Sequence, residues 1–192
     1  MKFVLSTRNA HKVRELAALL DRHELIALPD DVELPPEDAP DFVGNALGKA
    51  RAASAALGIP AIADDSGLEA EALGGAPGVR SARYAGENAT DGDNLQKLID
   101  EAPAGSALAY VCAIAVVLPD GREATVEGRC TGVMADAPRG DGGFGYDPVF
   151  VADDDPRGRT MAELTDAEKG AISHRGRAAA ALPEVLERLG LG

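Results

Sequence analysis

The segment Ile59-Pro-Ala-Ile-Ala-Asp-Asp-Ser-Gly67 is the most informative stretch of this chain. Its apolar half, residues 59–63, has the length and composition of a buried strand. Asp64 and Asp65 close it, and Ser66-Gly67 follow at once. A carboxylate pair at the end of a buried strand is costly unless a cation or a donor network compensates it. Small residues just after it leave room for a ligand. In open α/β sheets, ligands gather beyond the carboxyl ends of the strands. The segment therefore predicts an α/β fold with a site at this strand end. Its competing reading is a capped turn, since Asp-Asp-Ser-Gly is also good turn chemistry.

Outward from this segment, residues 2–5 read as a first strand. After Ser6-Thr-Arg-Asn9, apolar residues at Val13, Leu16, Ala17 and Leu20 keep the helical period, with Asn9 as the N-cap. Residues 28–41, rich in proline and acid, read as a loop with room for a short strand. Asp41 then caps an alanine-rich helix running to residue 57. Leu73-Gly-Gly-Ala-Pro-Gly78 must be irregular, because glycine and proline together defeat helix and sheet. Residues 91–101 read as a short helix. Residues 107–118 and 123–130 form a hairpin around Asp120-Gly121. The first of these strands is apolar nearly throughout, as expected of a strand buried on both faces.

A second glycine-rich loop, Asp141-Gly-Gly-Phe-Gly-Tyr-Asp-Pro148, feeds a strand over 149–151. Thr165-Asp-Ala-Glu168 fits a capping box. A last helix carries His174-Arg-Gly-Arg177 near its start and apolar residues at Leu182, Val185, Leu186 and Leu189. Pro183 is expected to kink this helix or to begin a new segment.

At 192 residues, 45% apolar and 27% charged, the chain suits one domain with a substantial core. Aromatics are few and Trp is absent, so that core is built mainly of Ala, Leu and Val. With no internal repeat and no flexible linker, residues 1–192 read as a single α/β domain with a mixed sheet. No apolar run reaches the ~20 residues that a membrane-spanning helix needs. Met1-Lys-Phe-Val-Leu5 is too short for a signal peptide, so a cytoplasmic protein is expected. The formal net charge of −13 argues against a general nucleic-acid binder, which needs a basic surface. It permits a small anion held by a local cluster of cations. Cys112 and Cys130 flank the turn Pro119-Asp-Gly-Arg122 and read as two small buried hydrophobes rather than a disulfide.

Several clusters carry chemistry. Arg8, His11, Lys12 and Arg14 crowd a helix N-terminus, where cations are normally unfavourable. A bound anion, most simply phosphate, would relieve the conflict; a solvated basic patch is the alternative. Asp64 and Asp65, with one of Glu33, Glu37 or Asp38, suit a hard divalent cation. Mg²⁺ takes one or two carboxylates together with water and substrate phosphate oxygens. A nearby carboxylate could also orient or deprotonate an attacking water.

Phe144, Gly145, Tyr146 and Asp147 form a loop in which glycine permits close approach and an aromatic face can stack a base, for ~1–3 kcal/mol. The same aromatics could instead plug the core. Ser173-His174-Arg175 offers donors that would suit a 6-oxopurine and conflict with a 6-amino group, or forms a plain surface pair. Lys49 and Lys169 are further cations, or solvated helix surface. There is no Cys/His metal cluster, no Walker-type phosphate loop and no Gly-x-Ser-x-Gly setting around Ser66.

Together and in this order, these segments resemble the inosine/xanthosine triphosphate pyrophosphatase family. The matching stretches are Ser6-Thr-Arg-Asn-Ala-His-Lys12, Asn45-Ala-Leu-Gly-Lys-Ala50, Ala63-Asp-Asp-Ser-Gly-Leu68 and Leu73-Gly-Gly-Ala-Pro-Gly78. They continue through Ser81-Ala-Arg-Tyr84, Gly142-Gly-Phe-Gly-Tyr-Asp-Pro148, Ala162-Glu-Leu164 and Glu168-Lys-Gly-Ala-Ile-Ser-His-Arg175. The resemblance implies an elongated α/β fold with a long mixed sheet flanked by helices, two lobes with an active-site cleft between them, and a homodimer. It implies Mg²⁺-dependent hydrolysis of ITP, dITP and XTP to the monophosphate and pyrophosphate.

Carried across by position, Thr7, Arg8, Asn9, Ala10, His11 and Lys12 would cradle the triphosphate, with Lys49 adding charge. Asp65 matches the catalytic acid and metal ligand, and Glu37 is the best match for the second metal carboxylate. Ser66 would touch the substrate. Phe144, Gly145, Tyr146 and Asp147 would form the base pocket, Lys169 would contact the nucleotide, and His174 with Arg175 would read the 6-oxo group. Two departures stand out: Arg8 replaces the family's usual small residue, and Gly44 an acid common before Asn45. The rival readings are a related pyrophosphatase for modified pyrimidines or another triphosphate, and a nucleotide sensor without catalysis.

Overall fold

Strand β1 (Lys2–Leu5) lies between two parallel neighbours, and the helices that follow it and the edge strand beside it carry Lys12 and Lys49 of the candidate site. The computed structural model describes residues 1–191. In chain order the elements are β1, α1 (Ala10–Leu19), β2 (Glu24–Ala27), α2 (Phe42–Leu57), β3 (Ala61–Ala70), α3 (Asp91–Glu101), β4 (Ala107–Val117), β5 (Glu123–Met134), β6 (Phe150–Ala152), α4 (Asp166–Ile172) and α5 (His174–Arg188). The six strands form one mixed sheet in the order β2-β1-β3-β4-β5-β6, flanked by helices. β1 pairs in parallel with β2 and β3, and β5 pairs antiparallel with β6.

The expected caps are in place. The Asn9 side chain accepts from the backbone of His11 and Lys12, Asp41 accepts from Gly44, and Thr165 closes a capping box with Glu168. Each satisfies an N–H left orphaned by the first helical turn.

Several details differ from the sequence reading, among them β5, which runs on to Met134. β3 does not end at Ala63 but runs to Ala70, so Asp64 and Asp65 lie within the strand and not in a turn. Cations and an amide supplied by neighbouring helices compensate both carboxylates where they stand, so the strand need not stop. β2 is a strand that the sequence does not announce. It is four residues long, lies at the sheet edge and buries none of its residues fully, so it lacks a strong apolar pattern. β6 begins one residue later than expected, because Asp147–Val149 form a 3₁₀ turn. Finally, of the two expectations for Pro183, a new segment does not begin there: α5 runs on through it. A proline inside a helix costs about 3 kcal/mol, and burial of Leu182, Val185, Leu186 and Leu189 in one apolar cluster offsets it at about 1.5–3 kcal/mol per side chain.

The chain divides into two compact units. The first comprises Met1–Asp65, Cys112–Gly128 and the segment from Arg175 onward; the second comprises Ser66–Val111 and Arg129–His174. In the first, Leu16 of α1, Leu20 just past its end, and Leu182 and Val185 of α5 pack with Phe3, Ile62 and Ile114 of the sheet. In the second, Leu68, Leu98, Tyr110, Val149, Phe150 and Met161 form the core. Cys112 and Cys130 are both free and buried. Burial pushes the Cys112 thiol up to about 12, with the Asp64 carboxylate adding to the effect, so it is an inert core residue. Among the described residues, no helix is long and apolar enough to cross a membrane.

Candidate active site

The first unit concentrates charge around β3. Lys12 reaches both carboxylates, at 3.1 Å from Asp64 and 4.0 Å from Asp65, while their remaining partners come from different helices. Asp64 lies 3.1 Å from Nζ of Lys12 on α1 and 3.4 Å from Nε of Arg175 on α5. Asp65 accepts from Nδ2 of Asn45 at 2.9 Å and lies 3.4 Å from Nζ of Lys49, both on α2. Asn45 and Lys49 are one helical turn apart, which puts them on one face. Lys49 also meets Glu37 at 2.5 Å, and Nη1 of Arg175 meets Glu15 at 2.7 Å. The Ser6 hydroxyl donates to the Lys49 carbonyl and ties β1 to this helix.

The two aspartates are electrostatically unequal. Burial pushes the Asp64 carboxyl up, but Lys12, Arg175 and Lys49 outweigh it and hold the group down at about 2. At Asp65 burial again raises the pKa, and here Lys49 and Lys12 do not fully compensate, with Glu37 adding to the rise. Asp64 is therefore a fixed anion, while Asp65 is the better proton acceptor. Lys49 is held charged: burial lowers its pKa, but Asp65, Asp64 and Glu37 raise it by more.

Counting the named groups, Lys12, Lys49 and Arg175 face Glu15, Glu37, Asp64 and Asp65, three cations against four carboxylates. A triphosphate would add further negative charge to a cluster that is already short of cations. Glu37 and Asp65 both reach the Lys49 ammonium, so two hard oxygen donors converge on one positive centre. That donor set fits Mg²⁺, which takes one or two carboxylates and completes its shell with water and phosphate. Among the described residues no three acidic, His or Cys side chains form a protein cage for a metal. Glu33 and Asp38, the other acids considered, are exposed.

At the turn before α1, Thr7 is buried and its Oγ1 accepts from the Asn9 amide; Ala10 and His11 are exposed at the helix start. His11 contacts Arg14 through Nδ1 at 2.7 Å. Arg8 is engaged elsewhere: its Nη2 donates to the Val32 carbonyl at 2.7 Å and the Asp30 carbonyl at 3.2 Å. Arg175, expected beside His174 as a base-reading group, donates to Glu15 and Asp64 in the first unit. Any contact with a base would have to exchange against these carboxylates. Ser66 is half-buried in β3.

The second unit organises its polar residues around Asp147. Oδ2 accepts from Nζ of Lys169 at 2.7 Å and from the Phe144 amide at 2.9 Å, while Oδ1 accepts from the Tyr110 hydroxyl at 3.1 Å. Lys169 also lies 4.9 Å from the centroid of the half-buried Phe144 ring. Gly143 must be glycine, because its φ is +69° and a Cβ would be driven into the Asp147 carboxylate. The Gly145 amide donates to Asp91 at 3.0 Å and pins the loop to the start of α3. Tyr146 is buried in the core, and its hydroxyl donates to the Ser81 carbonyl at 2.8 Å. It anchors the loop, leaving Phe144 as the accessible aromatic. His174 is 3% exposed and stacks on Tyr110 with centroids 4.6 Å apart.

Sequence reasoning missed Asn45, Glu15 and Tyr110 as working parts of these clusters. Each carried a signal: Asn45 precedes Lys49 by one turn, Glu15 follows Lys12 by three residues, and Tyr110 bears the lone hydroxyl of an apolar strand.

An α/β chain whose central strand carries a buried aspartate pair, faced by lysines from the two preceding helices, is built to handle a charged ligand. The chain belongs to the Ham1 family, which it matches over residues 3–185. It is 48% identical to a protein of Geobacillus kaustophilus named dITP/XTP pyrophosphatase, covering 98% of this chain and 95% of that protein. A protein of the same name from Shigella flexneri is 47% identical, covering 96% and 98%. Among solved structures, a HAM1 protein from Coxiella burnetii superposes with a TM-score of 0.86 at 40% identity, covering 98% of this chain and 99% of that one. A nucleoside-triphosphatase / dITP/XTP pyrophosphatase from Mycobacterium abscessus superposes with a TM-score of 0.74 at 44% identity, covering 95% and 98%.

Proposed function

We propose that this protein hydrolyses dITP, XTP and ITP to the monophosphate and pyrophosphate, clearing deaminated purines from the nucleotide pool. The observation that carries this reading is the pairing of Asp64 and Asp65 with Lys12 and Lys49, in a chain nearly half identical to proteins named dITP/XTP pyrophosphatase. In the first unit, Thr7, Asn9, Ala10, His11 and Lys12 bind the triphosphate together with Lys49. Arg8 flanks that turn with its guanidinium held by the 30–32 loop.

Glu37 and Asp65 would hold Mg²⁺, which when bound supplies positive charge against the phosphate oxygens. Asp65 positions the attacking water, and a nearby carboxylate accepts its proton. The water oxygen bonds to phosphorus as the bridge between the α and β phosphates breaks, and pyrophosphate leaves. Lys12 and Lys49 stabilise the charge that develops on the phosphate oxygens. Ser66, next in the strand, contacts the substrate.

In the second unit, Phe144 stacks the purine, Gly145 allows its close approach, Tyr146 holds the loop, and Asp147 with Lys169 lines the base site. His174 donates to the 6-oxo group, with Arg175 joining it only if released from its carboxylates. A donor placed for an oxo group is left unpaired by a 6-amino group, a strong penalty once water is excluded. The same reading includes a cytoplasmic homodimer, which sedimentation of the purified protein tests.

The deciding experiment assays a panel of dITP, XTP, ITP, ATP and GTP with Mg²⁺ and identifies the products. The three deaminated substrates should lead in kcat/KM and yield pyrophosphate. Asp65→Asn should lose about a hundredfold or more of turnover while retaining the wild-type circular dichroism spectrum. Comparable rates for all five nucleotides, or near-normal turnover by the folded variant, would refute the assignment.

A further inference from the structure

Tyr110 joins three side chains of the second unit, Asp147, His174 and Phe150. Its hydroxyl donates to Oδ1 of Asp147 at 3.1 Å. Its ring stacks with the His174 imidazole, centroids 4.6 Å apart and planes within 13°, and with Phe150 at 4.5 Å and 28°. Tyr110 stands in β4, an otherwise hydroxyl-free strand, and is 7% exposed. A phenol so deeply placed needs an acceptor, and the sheet supplies a rigid base for it.

The consequence for Asp147 and His174 is geometric. Asp147 receives Lys169 and the Phe144 amide on Oδ2, so the Tyr110 hydroxyl alone of these three fixes the second oxygen and hence the rotation of the carboxylate. His174 opens α5, and near-parallel stacking fixes the plane in which its two ring nitrogens lie. The direction of an imidazole N–H follows from that plane. We infer that Tyr110 is a specificity-determining positioning residue, a single strand side chain that orients both the Asp147 carboxylate and the His174 imidazole toward the purine base. The inference rests on the assignment of base recognition to the second unit.

Two variants separate the two contacts. Tyr110→Phe keeps the stack and removes the hydroxyl; Tyr110→Leu removes both and keeps an apolar side chain. Steady-state kinetics with dITP and dATP and the proton signal of His174 Cε1, identified by its loss in His174→Gln, form the readout. In Tyr110→Phe the KM for dITP should rise about tenfold, as expected for one hydrogen bond to a charged group. Its kcat should stay within about twofold and its His174 signal should not move. In Tyr110→Leu the His174 signal should shift downfield as the ring current is lost, and the preference for dITP over dATP should fall further.

Wild-type selectivity in both variants would overturn the inference, as would equal losses for dITP and dATP. If Tyr110→Leu does not fold, the KM-against-kcat split in Tyr110→Phe decides alone. A wild-type enzyme with no preference for dITP over dATP would overturn the base-binding assignment itself, a result distinguishable from selective wild type with indifferent variants.

Discussion

Lys12 and Asp64 form an ion pair, Nζ to Oδ2 at 3.1 Å, in which the carboxylate is fully buried and the lysine side chain keeps 12% of its exposure. Arg175 shares the same oxygen at 3.4 Å. A buried carboxylate between two cations fastens α1 and α5 to β3, and breaking it strands positive charge. Asp64→Asn should therefore cost about 3 kcal/mol, the lower end for a broken buried pair, since Glu15 still holds Arg175. Urea denaturation measures this directly. An unchanged midpoint would mean that the pair contributes no net stability.

Arg8 should matter less for substrate than its place beside the phosphate-binding turn suggests. Its guanidinium is held by the carbonyls of Asp30 and Val32 and by an exposed ion pair with Asp30. Arg8→Ala should change the KM for dITP by less than about threefold. A tenfold rise would show that Arg8 leaves the loop to grip the substrate.

Gly143 should tolerate no side chain. Its φ of +69° disfavours any residue with a Cβ, and that Cβ would displace the Asp147 carboxylate from Lys169 and the Phe144 amide. Gly143→Ala should raise the KM for dITP by about tenfold or more, because small displacements of positioning groups are costly. The chain should keep its circular dichroism spectrum. Unaltered KM would place the 143–147 loop outside substrate binding.

Glu168 supplies a pH-dependent hold on α4, the helix that carries Lys169. The Thr165 amide donates to its carboxylate, Arg159 pairs with it, and the Thr165 hydroxyl adds a third bond, together holding it near 2 against an ordinary value of 4.5. A depressed carboxyl stabilises the fold fully above 4.5, and the contribution is lost as pH falls from there toward 2. The thermal midpoint of Glu168→Gln should therefore fall less steeply than that of wild type as pH drops from about 4.5 toward about 2. Parallel pH profiles would show that the carboxylate is not held in solution.

Local chemistry made much of this protein legible. Asn9, Asp41 and Thr165 announced three helix starts because a cap needs only its own next residues. Asp120-Gly121 announced the turn between β4 and β5 for the same reason. Lys12, Asp65 and Lys169 stood out by residue type and spacing. β2 did not, since an edge strand of four residues is specified by its neighbour β1 and not by its own pattern. Nor did the continuation of β3 through two carboxylates, which depends on partners 20 and 16 residues back on α2, on Lys12 of α1, and on Arg175, 111 residues ahead.

Read alone, the order of amino acids was sufficient for the α/β class and the caps, which rest on short-range periodicity and composition, and its motifs in their order carried the resemblance to a family. Which carboxylate meets which donor or cation was settled in three dimensions: Asp64 with Lys12 and Arg175, Asp65 with Asn45 and Lys49, Asp147 with Tyr110 and Lys169. Those pairings fix charge state and orientation, and they arise from packing of helices on a sheet, where contacts distant along the chain compete for the same buried space.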